Sequence, residues 1–141
     1  MDNRVIAAYQ QLGFKLVVDP SVNYSGYFDA RSRSITMKQI DDSVYHELGH
    51  FLAFIAGNAD KTASFQSIFV AEKANVTAFN KAYVTQNASE YFAESVKDYI
   101  LNNASLKSSR PQTYAAVQNA LNQITDAQIA KIQKIYGAFW N

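Results

Sequence analysis

Both histidines of the chain fall within one pentapeptide, His46-Glu47-Leu48-Gly49-His50, and there is no cysteine anywhere. This pairing constrains the fold more than any other feature. Residues four apart share a face only on a helix, so the histidines act together only if 41–57 is helical. On such a helix two imidazoles can close on one Zn²⁺ with Glu47 beside them. This is the H-E-x-x-H arrangement, in which the histidines hold the metal and the glutamate takes a proton from water. The bland alternative is a helix whose histidines are solvated or hydrogen-bonded. The carboxylate beside the first histidine, the capping cluster before it and an acidic motif further on favour the metal.

The helix has its own start and stop signals. Asp41-Asp42-Ser43 supplies N-cap oxygens and negative charge, and Gly57-Asn58 ends it. Val44, Leu48, Phe51, Leu52 and Ile55 form the expected buried stripe, with His46 and His50 on a flank facing a cleft. Gly49 costs about 1 kcal/mol relative to Ala inside a helix, which points to close packing or an approach to backbone, with a merely tolerated glycine as the alternative.

Upstream, Val5, Ile6, Tyr9 and Leu12 repeat at helical spacing over 3–12, and Gly13 stops them. Phe14-Lys15-Leu16-Val17-Val18 reads as a strand ended by Asp19-Pro20. Residues 24–29 and 34–38 read as a hairpin, with Arg31 and Arg33 solvated at its tip. Downstream, helices are expected over 61–73, 90–102, from Pro111, and from the capping box at Thr125-Asp126-Ala127-Gln128. Residues 74–86 lack a period and read as mainly irregular. The expectation is one small sheet followed by about five helices.

With no third histidine and no cysteine, the third metal ligand must be a carboxylate. Ala56 stands six positions beyond His50, where a short-spaced ligand would be, and Asp60 lies past Gly57 and needs the chain to double back. Glu72, on a helix with an apolar stripe, reads as a solvated surface residue. Glu90 and Glu94 are one turn apart on another helix, so one can ligate while the other orients a histidine. Spacing alone leaves open which does which.

Composition excludes other classes. A net charge of +1 over 141 residues gives no electrostatic attraction to nucleic acid or an anionic membrane. No apolar run approaches the length of a bilayer span. With 48% hydrophobic and 18% charged residues, a single domain, 1–141, is expected. The N-terminus lacks a secretory signal, so the chain reads as cytoplasmic, as a mature form, or as an excised domain.

His46-Glu47-Leu48-Gly49-His50 followed by Ser89-Glu90-Tyr91-Phe92-Ala93-Glu94-Ser95 resembles the lethal factor-like zinc metallopeptidases, which include the anthrax lethal factor catalytic domain and the bacterial Pro-Pro endopeptidases. Similarity to the latter continues through Lys61-Thr62-Ala63-Ser64-Phe65 and Ser108-Ser109-Arg110-Pro111, covering about the last two-thirds of the chain. The resemblance implies His46, His50 and Glu90 as Zn²⁺ ligands, Glu47 as general base and Glu94 as the carboxylate behind a ligand. It also implies Tyr83 as the phenol that bonds the oxyanion, a role suited to charge that develops only in the transition state. The chain lacks a counterpart of the longer, Trp-containing loop before the catalytic helix of the Pro-Pro endopeptidases, and Trp140 reads as a packing residue.

The expected architecture is a compact α+β zincin-like domain, with a hairpin edge above the cleft where an extended peptide adds by backbone hydrogen bonds. The expected activity is zinc-dependent endopeptidase, acting as a monomer. The resemblance implies secretion from bacteria; a cytoplasmic enzyme that cuts a repressor and a non-catalytic zinc-binding module are the alternatives.

Overall fold

The computed structural model describes residues 1–140. Helix α1 (Asn3–Gln11) leads into β1 (Lys15–Val18), β2 (Gly26–Asp29) and β3 (Ser34–Met37), and α2 (Ser43–Ile55) carries the paired histidines. Beyond it lie α3 (Ala63–Glu72), the single turn α4 (Lys81–Val84), α5 (Ala88–Leu101), α6 (Asn103–Ser109), α7 (Pro111–Asn122) and α8 (Asp126–Trp140). The described chain is therefore mostly helical with one three-stranded sheet, an α+β arrangement.

Gly13 stops α1 as its position foretold. Its φ of +77° lets its N–H reach Gln10 O and the Phe14 N–H reach Tyr9 O, both at 3.0 Å, the paired bonds of a Schellman turn. The chain then enters β1, which lies parallel to β3, while β2 pairs antiparallel with β3 in the expected hairpin. The strand order β1-β3-β2 leaves β2 as an edge. Lys38 N donates to Ser25 O at 3.1 Å, and bonded pairs alternate along an antiparallel ladder, so the N–H and C=O groups of Gly26 and Phe28 face off that open edge.

Helix α2 packs between the sheet and α5. Residues on almost every side of it are buried, Ala53 and Phe54 included, whereas Val44 is only half-buried. An aromatic cluster joins the layers: Phe14 meets Phe51 edge-on at 4.9 Å, Tyr9 meets Phe51 at 5.0 Å and Phe14 meets Trp140 at 5.7 Å. Trp140 is a packing residue as expected, with its indole N–H donated to Ala30 O at 3.0 Å.

Several expectations are corrected. The cap of α2 comes from Asp41 alone, whose carboxylate accepts from the Ser43 backbone and hydroxyl, while Asp42 makes no side-chain cap bond. Arg33 is not solvated: its guanidinium donates to Leu12 O and Trp140 O and lies over the Trp140 ring. Two helices were not anticipated, α4 within 74–86 and α6, where Leu106 is the one buried residue and supplies no period to read.

The largest correction concerns Glu72, which is 5% exposed. Its carboxylate accepts from Gln112 N (3.1 Å), Thr113 N (2.8 Å) and Thr113 Oγ1 (2.7 Å), capping α7 from a different helix. Pro111 does open α7 but has no N–H to offer, so the next two donors needed a partner from elsewhere.

Candidate metal centre

The site begins where α2 and α5 touch. A Cβ on Gly49 would stand 2.7 Å from Ala93 O and 2.8 Å from Ala93 Cα, so the helices meet backbone to backbone at this point. That contact explains the helix-interior glycine. It also brings side chains on the facing turns within hydrogen-bond range of one another.

His46 lies between two glutamates of α5. Its Nε2 is 2.9 Å from Glu90 Oε2 and its Nδ1 is 2.9 Å from Glu94 Oε1, while His50 Nε2 is 3.3 Å from Glu90 Oε1. Glu90 is set by the start of its helix, where Asn87 Oδ1 accepts from the Glu90 N–H at 2.8 Å. Ser89 donates to the buried Asp60 at 2.5 Å, tying the same turn to the segment after α2. Asp60 stands apart from the histidines and joins no cluster with them.

His46, His50 and Glu90 each offer one donor atom within 4.8 Å of the others, and they form the one such group of metal-binding residues among those described. Donors sharing a tetrahedral zinc at about 2.0–2.1 Å are roughly 3.3 Å apart, so two of the measured separations, 2.9 and 3.3 Å, are near what the ion requires. Two neutral imidazoles and a carboxylate are also a donor set suited to zinc. The second nitrogen of His46 already has its carboxylate, Glu94, which fixes the ring's orientation.

The electrostatics follow from crowding these groups in a half-dry cleft. Burial opposes the charged form of His46, but the bonds to Glu90 and Glu94 outweigh it and hold the imidazolium to a pKa of about 9. Burial likewise works to raise Glu90 and Glu94, yet the two histidines hold Glu90, and His46 with Lys97 holds Glu94, below the usual carboxylate range. Glu47 goes the other way. It is 7% exposed, and burial raises its carboxyl despite His46, His50 and the Phe28 N–H. Tyr83, exposed on α4, is raised by burial of its hydroxyl end and by the charges of Glu90 and Glu47.

His46, Glu47, Tyr83 and Glu94 line one cleft. A cavity of about 350 Å³ is lined by Gly26 of the edge strand, Ser43, His46, Glu47, Tyr83 and Lys97 among others. The Tyr83 ring centre is 6.4 Å from that of His46. A larger cavity of about 520 Å³ between α3 and α7 has no titratable side chain in its lining, so size alone would mislead here. The structure thus brings together His46, Glu47, His50, Tyr83, Glu90 and Glu94.

Sequence reasoning missed two contributors. Gly26 brings β2 against Glu47, and Phe28 stacks parallel to the His50 ring at 6.4 Å. A glycine at the start of a strand was the available signal for the first. No pattern in the sequence marked the second.

The family model described as "Anthrax toxin lethal factor, N- and C-terminal domain" matches residues 22–120. A curated relative, the Pro-Pro endopeptidase of Clostridioides difficile (strain 630), is 40% identical over 78 residues, a stretch covering 52% of this chain and 34% of the relative. Among the described residues no helix is long and apolar enough to cross a membrane.

Proposed function

The chain belongs to the anthrax toxin lethal factor N- and C-terminal domain family, and from that premise we propose that it is a zinc-dependent endopeptidase of zincin-like type. One observation carries the reading: donor atoms of His46, His50 and Glu90 converge within 4.8 Å of one another, beside a cleft lined by His46, Glu47 and Tyr83. The relative's name adds that a similar chain hydrolyses peptides.

His46, His50 and Glu90 would hold the ion. When bound, zinc polarises the scissile carbonyl and makes water acidic enough to attack near neutral pH. Glu47 accepts the proton of the attacking water, and its raised pKa suits a base that must later give that proton to the leaving amine. The Tyr83 hydroxyl donates to the oxygen that becomes negative in the transition state. Glu94 keeps His46 in the tautomer that presents Nε2 to the metal. The substrate adds in extended form along β2, whose outer edge no other strand covers.

A structural zinc site would close its fourth position with a protein ligand; three donors beside an open cavity favour catalysis. The test is zinc content by mass spectrometry, together with cleavage of an unbiased peptide library that includes Pro-Pro sequences. One zinc per chain is expected, with cleavage that Glu47→Ala lowers by roughly 10²–10⁴-fold while zinc is retained. Protein purified without zinc, or cleavage indifferent to Glu47→Ala, would overturn the mechanism. Action outside the cell and a monomeric state belong to the same reading, and fractionation of the producing cells and sedimentation test them.

A further inference from the structure

Gly26 is the first residue of β2, and its backbone does not adopt the left-handed conformation that requires glycine. Its lack of a side chain therefore needs another explanation, and space supplies one. A Cβ placed there would stand 2.9 Å from Glu47 Cγ, 3.2 Å from Glu47 Oε2 and 2.8 Å from Met37 Sδ. The first two atoms belong to the carboxylate side chain in the cleft, and the third to the residue paired with Gly26 across the hairpin.

We propose that Gly26 is a positioning residue for Glu47, the bare Cα of the edge strand forming the wall against which the carboxylate rests. The inference depends on Glu47 being the base of the proposed hydrolysis. A methyl at position 26 forces something to move. The Glu47 side chain is the flexible group on the cleft side, whereas Met37 is wholly buried in the core. The methyl would point toward α2, away from the backbone groups on the open edge of β2, so the surface offered to a peptide strand is unchanged. Alanine at this position thus shifts the base without touching His46, His50 or Glu90. A displacement of about 1 Å at a reacting group can cost on the order of 10²-fold in rate.

The experiment is a cycle of wild type, Gly26→Ala, Glu47→Ala and the double variant, read by zinc content, kcat, KM, urea unfolding and a crystal structure of Gly26→Ala. Gly26→Ala should keep its zinc and its KM, lose roughly 10- to 100-fold in kcat, and show the Glu47 carboxylate moved over an unmoved Cα trace. In the Glu47→Ala background the same change should have no further effect on residual rate. Should Gly26→Ala fail to fold, the double variant should regain a folded state, because the Glu47 atoms are gone and only Met37 Sδ is left to give way. Full activity in Gly26→Ala, a rise in KM alone, an added loss in the Glu47→Ala background, or a double variant that stays unfolded would each overturn the proposal. If the wild type cleaves no peptide, the endopeptidase reading fails separately; the position of the Glu47 side chain in the Gly26→Ala crystal structure and the unfolding cycle still decide whether residue 26 sets it.

Discussion

Helix α5 carries a polar cluster on each of two faces, and the two differ in who supplies the protons. Toward α7, Tyr91 OH bonds Thr113 Oγ1 at 2.6 Å, and Thr113 in turn bonds the Glu72 carboxylate. Along the same face, Arg110 reaches Ser95 Oγ at 3.1 Å and Asp98 at 2.5 Å. The donors to Glu72 are backbone amides and a hydroxyl, which do not titrate in the ordinary range. Toward α2, Glu90 and Glu94 accept from imidazoles that can lose their protons. A buried carboxylate met by obligate donors has no need of another partner. One met by titratable donors can exchange their protons for a metal ion. Glu72 and Glu90 are the same residue type, and the donors opposite them separate a structural cap from the ligand proposed above.

The sharpest way to break this contrast lies on the α2 side. Glu90→Ala should weaken zinc binding by more than the roughly 10- to 100-fold expected when an outer partner such as Glu94 is truncated. Competition with a chromogenic chelator measures both variants, and the reverse order would exchange the roles of the two glutamates.

On the α7 side, Glu72→Ala should leave zinc affinity as it was. It strands the buried amide and hydroxyl of Thr113 and the partly buried amide of Gln112, at about 1–3 kcal/mol for each buried group left unpaired and partly recovered by relaxation. The net loss expected is about 2–4 kcal/mol in urea unfolding of the zinc-loaded protein. A loss of zinc without a loss of stability would show that the two faces are not independent.

The smallest expected effect is on the pH dependence of the zinc-free protein. His46 is raised in the fold from an ordinary 6.5 to about 9, so its contribution to stability is complete below about pH 6.5 and is lost as pH climbs toward 9. Glu90 and Glu94 are lowered from 4.5, so theirs is present above that pH and fades as pH falls through and below it. Glu47, which is raised, opposes the acid arm, leaving the alkaline arm the cleaner test. Melting temperature in a chelator should fall between pH 6.5 and 9, and the Glu90→Ala variant should show a shallower fall. Zinc should reverse the slope over that interval, because binding displaces protons from His46 and affinity rises with pH. An alkaline arm of equal slope in wild type and Glu90→Ala would mean that His46 and Glu90 do not form an ion pair without metal.

Much of this is legible in the sequence. The helical register of His46 and His50, the stop at Gly13 and Pro111 at a helix start are local, each decided by a few adjacent residues. Glu72 was misread because an isolated glutamate on an amphipathic helix looks the same whether it faces water or the start of a helix forty residues on. Arg33 was misread for a similar reason, since its acceptors belong to Leu12 and Trp140. Helix α6 escaped because one buried leucine makes no pattern.

The sequence by itself determined the donors: two histidines one turn apart, no cysteine, and therefore a carboxylate to complete the set. It also placed Glu90 and Glu94 one turn apart on a second helix, but periodicity within a helix says nothing about where another helix lies. The tertiary structure decided which glutamate faces which nitrogen, because that depends on the rotation and height of α5 against α2 at the Gly49–Ala93 contact. It alone revealed the approach of Gly26 to Glu47, since the separation of a strand from a helix is set by the side chains packed between them, and here one of the two residues has none.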